Sequence, residues 1–367
     1  MNLTKRAAGV LAITIVVRYF TVGGLERVVT SLANELAGRG TRVRVVVLSA
    51  GKRNALLTEL DESVDVVALR GPLPRRMSEL RRLTAGRVVH INFGDGRLHP
   101  LVRSMVRDRP TVVTCHSVYS HKRNPLINRA DRFWSRKVHT VVAVSEAVRE
   151  FCVDEVGIDS SKVVVVHNGV EIEPLRRLAV PPRADPESLC VVSLASLYPH
   201  KNHATLIDGF AVALRERSGI RLRLIGDGPE LIGLHAAARR LGVASAIDWY
   251  GAVWRRDQVV PLVSSSQVFV SASRFEGMPL SVLEAMACGL PLVLSDIPPH
   301  REVAGDAALY FPANDAAALG ARLRELADEP VLRRTLAARS LERSARYDVT
   351  VQATRYMEIF ERAAQSA

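Results

Sequence analysis

The sequence predicts two doubly wound α/β domains in tandem, and three observations carry that expectation. Short apolar, β-branched runs recur with amphipathic stretches between them, which is β-α-β alternation. The apolar runs are continuous rather than alternating, as expected of strands buried on both faces of a parallel sheet. The pattern breaks once, at 173–187, where Pro174, Pro181, Pro182 and Pro186 fall among polar residues, and then restarts. A chain of 367 residues suits two such domains at roughly 150 residues each.

In order, the first half places strands at 9–17, 42–48, 64–69, 88–92, 111–115, 140–144 and 162–167, with a helix at 25–39 whose apolar residues recur every three to four positions. The segment 173–187 reads as the linker. The second half places strands at 189–194, 221–225, 247–250, 268–271 and 292–294, with helices at 203–215, 230–241 and 280–287. Later helices follow, ending on 350–364. The expected domains are 1–175 and 176–349, with residues 350–367 following them. Ligands in such folds bind at the carboxyl ends of the strands.

Composition narrows the class. Hydrophobic residues make up 48% and charged residues 24%, which excludes wholesale disorder. No apolar run reaches the roughly 18 residues of a membrane span. The chain carries a net charge of +12, and all of the excess lies in residues 1–185, which favours an anionic partner. Cys115, Cys152, Cys190 and Cys288 are widely spaced in apolar runs and make no zinc motif, so free thiols in a reducing compartment are expected. Lys5, Arg6 and the apolar run after them imitate a signal peptide. No small-residue cleavage site follows, however, and a buried first strand fits better. These points together predict a cytoplasmic protein.

Residues 275–285, Phe-Glu-Gly-Met-Pro-Leu-Ser-Val-Leu-Glu-Ala, follow a strand and open a helix. Gly277 permits close backbone approach and Pro279 suits a helix's first turn. The amides of Leu280 and Ser281 would then face an anion at the positive end of the helix. Were Glu276 and Glu284 both helical, they would stand about 12 Å apart along the axis. A glycosidase pair needs roughly 5–9.5 Å, so two carboxylates holding different parts of one hydroxyl-rich ligand fit better. Neither Gly23-Gly24 nor Gly226-Asp227-Gly228 completes the dinucleotide fingerprint, so no nicotinamide cofactor is indicated. No aromatic-interleaved basic groove points to nucleic acid, aromatics being only 5%.

Glu276 and Glu284 in this strand–loop–helix context, followed by Ala-Met-Ala-Cys-Gly-Leu-Pro-Leu-Val, resemble the retaining family-4 glycosyltransferases of GT-B fold. The likeness covers nearly the whole chain. Residues 22–27 (Val-Gly-Gly-Leu-Glu-Arg) are similar to the family's N-terminal glycine loop. Residues 141–146 and 167–171 are similar to the motifs closing its first domain. Residues 197–202 (Leu-Tyr-Pro-His-Lys-Asn) resemble its phosphate-lysine segment, and 225–229 its following glycine turn. The resemblance implies two Rossmann-like domains facing a central cleft, the first binding the acceptor and the second a nucleotide sugar, with the C-terminal helix 350–367 packing back on the first. It implies that Glu284 accepts from the ribose hydroxyls, and that Glu276 faces the donor sugar, helped by backbone amides around Gly277, Met278 and Pro279. Lys201 would neutralise the diphosphate leaving group, with Gly226 beside it in the glycine turn. Gly23 and Gly24 would let the first loop approach phosphate or acceptor, and His116 would lie near the reacting face of the sugar.

The pattern departs from the family at Ser196, where an arginine is usual; either Lys201 acts with less help, or Arg274 or another arginine substitutes. His121, His200 and His203 read as surface or supporting residues, and Tyr198 as core. UDP-sugars are the leading donors and GDP-mannose follows; a lipid-linked glycan or small molecule is the expected acceptor, with no metal required. The basic clusters at 70–87 and 122–137 belong to the first domain, and 72–87 could meet an anionic membrane or a polyprenyl-diphosphate acceptor. A nucleotide-sugar epimerase, another GT-B enzyme and an inactive nucleotide-sugar-binding module remain alternatives.

Overall fold

The structure, a computed structural model, describes residues 10–49, 55–93, 99–118, 125–182 and 188–366. The chain divides into two compact units, Met1–Gly169 with Val349–Ala367, and Val170–Asp348. The first carries a seven-stranded parallel sheet: β1 (Ala12–Val17), β2 (Arg42–Val47), β3 (Asp65–Ala68), β4 (Val88–Phe93), β5 (Thr111–Cys115), β6 (Thr140–Ala143) and β7 (Val163–Val165). Its order is β3-β2-β1-β4-β5-β6-β7, so the chain winds outward from β1 and then from β4 in the opposite direction. That is the doubly wound order, with its switch point between β1 and β4.

The second unit repeats the scheme with β8 (Leu189–Leu194), β9 (Ile220–Ile225), β10 (Ile247–Gly251), β11 (Val268–Ser271), β12 (Leu292–Ser295) and β13 (Ala308–Phe311). The order β10-β9-β8-β11-β12-β13 puts its switch point between β8 and β11. All predicted strands form, and their ends shift by at most three residues. Val45, Val46, Val112, Val141, Val191, Val192 and Val293 are fully buried, which is why the strands read as unbroken apolar runs.

Two elements differ from the expectation. Helix Ile172–Leu178 forms where the linker was expected, because Ile172 and Leu175 have an apolar face to bury and Pro174 falls within its first turn, where proline costs nothing. The division between units accordingly falls at Gly169 rather than 175. Residues 183–187 of that expected linker lie outside the described residues. The edge strand β13 was not anticipated, its four residues being too short for a clear period.

Helix Val349–Gln365 belongs to the first unit. Ala353, Tyr356, Ile359, Phe360 and Ala363 enter the same apolar cluster as Ile13, Ile15, Val45 and Leu32. The Tyr356 hydroxyl and the Thr114 hydroxyl lie 2.8 Å apart, and Thr114 in turn meets His90 Nε2 at 2.7 Å. Arg39 donates to the Thr350 carbonyl and the Thr354 hydroxyl, both at 2.8 Å. Phe360 is fully buried. Phe360→Ala should therefore lower stability by about 3–5 kcal/mol, read as a fall in the urea midpoint of the first unit's transition; an unchanged midpoint would show that the helix adds nothing to that core.

Candidate active site

In the second unit the crevice beyond the carboxyl ends of β8 and β11 is where this topology places a ligand. The loop after β8 is pinned by main-chain bonds: Ala195 N to Ile225 O (3.1 Å), Leu197 N to Asp227 O (2.9 Å) and Glu230 N to Leu197 O (3.1 Å). This packing leaves no room for side chains opposite it. Gly226 has φ of 147°, a region L-residues rarely enter, and a Cβ there would collide with the Ala195 carbonyl oxygen. A Cβ on Gly228 would crowd the Leu197 main chain in the same way.

The pinned loop runs into a short 3-10 turn, Pro199–Lys201, which ends on Asn202 at φ 57°. From this turn Lys201 Nζ donates to Glu276 Oε1 at 2.5 Å, and the Ser273 hydroxyl donates to the same oxygen at 2.7 Å. Both partners are largely buried, with 18% and 11% of their side chains exposed. Burial alone would raise the Glu276 carboxyl, but the charge and hydrogen bond of Lys201, helped by Ser273, overcome it and hold the group below its ordinary range. The loop after β11 is fixed by the Ser295 hydroxyl, which donates to the Ser273 carbonyl at 2.6 Å. His300, fully buried, holds Ser295 through Nδ1, 2.8 Å from the Ser295 carbonyl.

Glu276 lies in the loop before helix Leu280–Ala287 rather than in it, so the helical spacing considered for the two glutamates does not apply. Pro279 stands at the N-cap rather than inside the first turn. The amides of Leu280 and Ser281 fall in the first turn, where no intrahelical carbonyl can reach them. Gly277, Met278 and Pro279 are buried in front of it, and Glu284 is half-buried one turn further on. Arg274 comes to the lysine-bearing loop: its Nε donates to Asn314 Oδ1 at 2.7 Å and its Nη1 to the Pro199 carbonyl at 3.2 Å. His200 stacks on Phe275, with ring centroids 5.0 Å apart. Tyr198 is 49% exposed rather than core. His203 is buried.

In the first unit Gly23 is the extended N-cap of helix Gly24–Gly38, and a Cβ on it would meet the Glu26 carboxylate. Glu26 was read only as part of the glycine motif. It is a mostly buried acid whose carboxyl is raised by that burial, with the Thr21 hydroxyl at 3.4 Å opposing. His116 follows β5, and its Nε2 lies 2.9 Å from Asn92 Oδ1. Because that oxygen can only accept, Nε2 carries the proton and Nδ1 the lone pair. Burial pushes His116 down to about 4, so it is neutral near pH 7. His121 lies outside the described residues. Ser273, Ser295 and His300 belong to no motif of their own, and the Ser295–Ser273 contact joins positions 22 apart in the chain.

Two doubly wound units, one with a buried lysine–carboxylate pair at its switch point beside a helix N-terminus, define a two-domain α/β enzyme with a site for an anionic, hydroxyl-bearing ligand. Sequence comparison takes this further. Residues 22–174 match the profile of Glycosyltransferase Family 4, and residues 179–343 that of Glycosyl transferases group 1. A phosphatidyl-myo-inositol mannosyltransferase of Mycobacterium leprae is 27% identical over 94% of both chains. A lipopolysaccharide 1,6-galactosyltransferase of Salmonella typhimurium is 31% identical over 42% of both. Among solved structures, Anabaena HepE in complex with UDP-glucose superposes with a TM-score of 0.81 at 19% identity, covering 96% of this chain and all of that one. Sucrose-phosphate synthase of Thermosynechococcus elongatus does so at 0.81 and 17%, covering 97% of this chain and all of that one. The chain belongs to the family-4 glycosyltransferases of GT-B fold. It is a glycosyltransferase.

Removing Lys201 would leave the Glu276 carboxylate buried without its charge partner, at a cost of about 3–5 kcal/mol. Lys201→Met should lower the melting temperature of the second unit, and Lys201→Met with Glu276→Leu should recover most of the loss; equal losses in both would refute the pairing. A second expectation concerns acid. Burial pushes His90 down to about 3, and His116 and His203 to about 4. These residues are neutral in the fold but take up protons in the unfolded chain below about pH 6.5. Stability should therefore be level above that pH and fall as pH descends towards 4, measured as the urea midpoint across the range.

Proposed function

We propose that the protein transfers a sugar from a nucleoside-diphosphate sugar to a hydroxyl group of a lipid-linked glycan or small-molecule acceptor, with retention at the anomeric carbon and without a metal. The observation that carries this reading is the Lys201–Glu276 pair at the switch point of the second sheet. A cation there can meet the diphosphate whose charge grows as the sugar–phosphate bond breaks. When the diphosphate draws Lys201 away, the Glu276 carboxylate is left to accept hydrogen bonds from sugar hydroxyls, with Ser273 keeping it in place. Arg274, bound to the lysine-bearing turn, takes the part left open by Ser196. The amides of Gly277, Met278, Leu280 and Ser281 supply further donors to the anion, and Glu284 receives the ribose hydroxyls. Gly226, Gly23 and Gly24 keep backbone within reach of the ligand. His116 is assigned to the face of the sugar where bonds change, as a neutral group able to accept a hydrogen bond through Nδ1. In a same-face displacement the leaving phosphate itself deprotonates the incoming hydroxyl, so no protein nucleophile is required.

UDP-sugars lead as donors, in keeping with the UDP complexes of the structural relative, and GDP-mannose follows on the mannosyltransferase likeness. A melting screen against UDP, GDP, dTDP and ADP distinguishes them. One nucleotide at about 100 times its dissociation constant should stabilise the protein by about 2.7 kcal/mol, and Glu284→Ala should abolish the shift. A shift that survives Glu284→Ala would remove Glu284 from the nucleotide site. Proton NMR of the product anomer then tests retention.

A further inference from the structure

The cysteines are all free thiols, and two of them meet. Cys115 ends β5 and is partly exposed, whereas Cys152 is buried. The two are far apart in sequence, yet their side chains share a hydrogen bond. Two local features bring them together. Val144 N donates to the Cys115 carbonyl at 3.3 Å, which carries the β5–β6 pairing to the last residue of β5. The chain after β6 forms helix Glu146–Glu150 and then widens into a π turn, Phe151–Glu155, closed by Val156 N to Phe151 O at 3.1 Å. Cys152 rides on that turn, a helix distortion that recurs at functional positions. Ile158 N fixes it from the other side, donating to the Cys152 carbonyl at 3.0 Å.

The surroundings treat the two thiols differently. Arg103, 5% exposed, comes from helix His99–Met105, and its Nη1 lies 3.5 Å from the Asp131 carbonyl. The hydrogen bond from Cys152 holds the Cys115 thiol below its ordinary value, and the charge of Arg103 helps against burial and Asp131. The same hydrogen bond, with burial, pushes Cys152 well up. One sulfur is thus ready to ionise while its neighbour keeps a proton beside it. Elsewhere burial raises Cys190, whose sulfur donates to the Ser266 hydroxyl at 3.6 Å, and pushes Cys288 up to about 12. An accessible thiol that ionises readily, in contact with a second thiol, is the arrangement that hydroperoxides convert to a disulfide.

We propose that Cys115 and Cys152 form a reversible modification site for hydroperoxides, with Cys115 attacking the oxidant and Cys152 closing the disulfide. The Cys115 thiolate attacks one peroxide oxygen, the O–O bond breaks, and hydroxide leaves. The Cys152 sulfur then attacks the resulting sulfenic acid. An S–S bond forms, the S–O bond breaks, and the Cys152 proton departs with that oxygen as water. The peroxide gains the two electrons that the thiols lose, and an added dithiol reverses the change. The new bond would tie the residue before His116 to the π turn, and it involves no step of sugar transfer.

The test treats the full chain with hydrogen peroxide, blocks the remaining thiols and digests with trypsin without reductant. Peptides 108–122 and 150–162 carry Cys115 and Cys152. They should appear joined, lighter than their sum by the two thiol hydrogens, and should separate in dithiothreitol. With dimedone present, Cys152→Ala should trap the sulfenic acid on Cys115, while Cys115→Ala should leave Cys152 unlabelled. Cys190 and Cys288 should react at least about tenfold more slowly than Cys115. Absence of the joined peptide would overturn the proposal, as would faster modification of Cys190 or Cys288, or linkage between two chains. The joined peptide is read on the unsubstituted protein, so it decides the matter whether or not either variant folds.

Discussion

The second unit is organised around a carboxylate that is kept ionised while almost hidden from water. An isolated charge at the depth of Glu276 would take up a proton. It does not, because Lys201 and Ser273 both reach the same oxygen. For that to happen two loops must hold their positions to within a fraction of an ångström. One is pressed against Gly226 and Gly228, where side chains cannot be accommodated. The other is tied through Ser295 to His300, beneath the sheet end. The pair is thus a short salt bridge set in a rigid frame, with the carboxylate oriented before any ligand arrives.

The two units share a topology but divide the labour of charge. The sheet that carries the ion pair belongs to a unit with no net charge, so its electrostatics are local and short-ranged. The other unit holds the entire excess, spread over helices that face solvent. Fields from such a surface act over about a Debye length and depend on salt, whereas the buried pair is screened far less. One protein therefore has two electrostatic regimes, one local and buried, the other diffuse and sensitive to salt.

How much of this could be read from residues follows from the range of the interactions involved. Strands such as β5 and β8 were legible because burial on both faces writes itself into consecutive residues. Helix 280–287 was legible from Pro279 and its apolar spacing. Helix 172–178 is hidden because Pro174 reads as a break, although the first turn of a helix is where proline fits best. Glu276 and Lys201 each stood out through a motif, but their contact spans 75 positions of sequence and has no local signature. His300 lies one link further away, and a lone histidine between prolines and Arg301 carries no pattern. Tyr198, expected in the core, is 49% exposed for a related reason: residue type predicts burial only on average.

The helix at 349–365 makes the first unit discontinuous, and this bears on how the molecule is made. The second unit is a single continuous stretch and has all its strands available once Asp348 has left the ribosome. The first unit is synthesised earlier, yet its sheet lacks the cover supplied by Tyr356, Ile359 and Phe360 until the chain has passed through the whole of the second. Domains fold as units, commonly in order of synthesis. Here the core of the earlier unit cannot be completed until residues synthesised after the whole of the later unit are available.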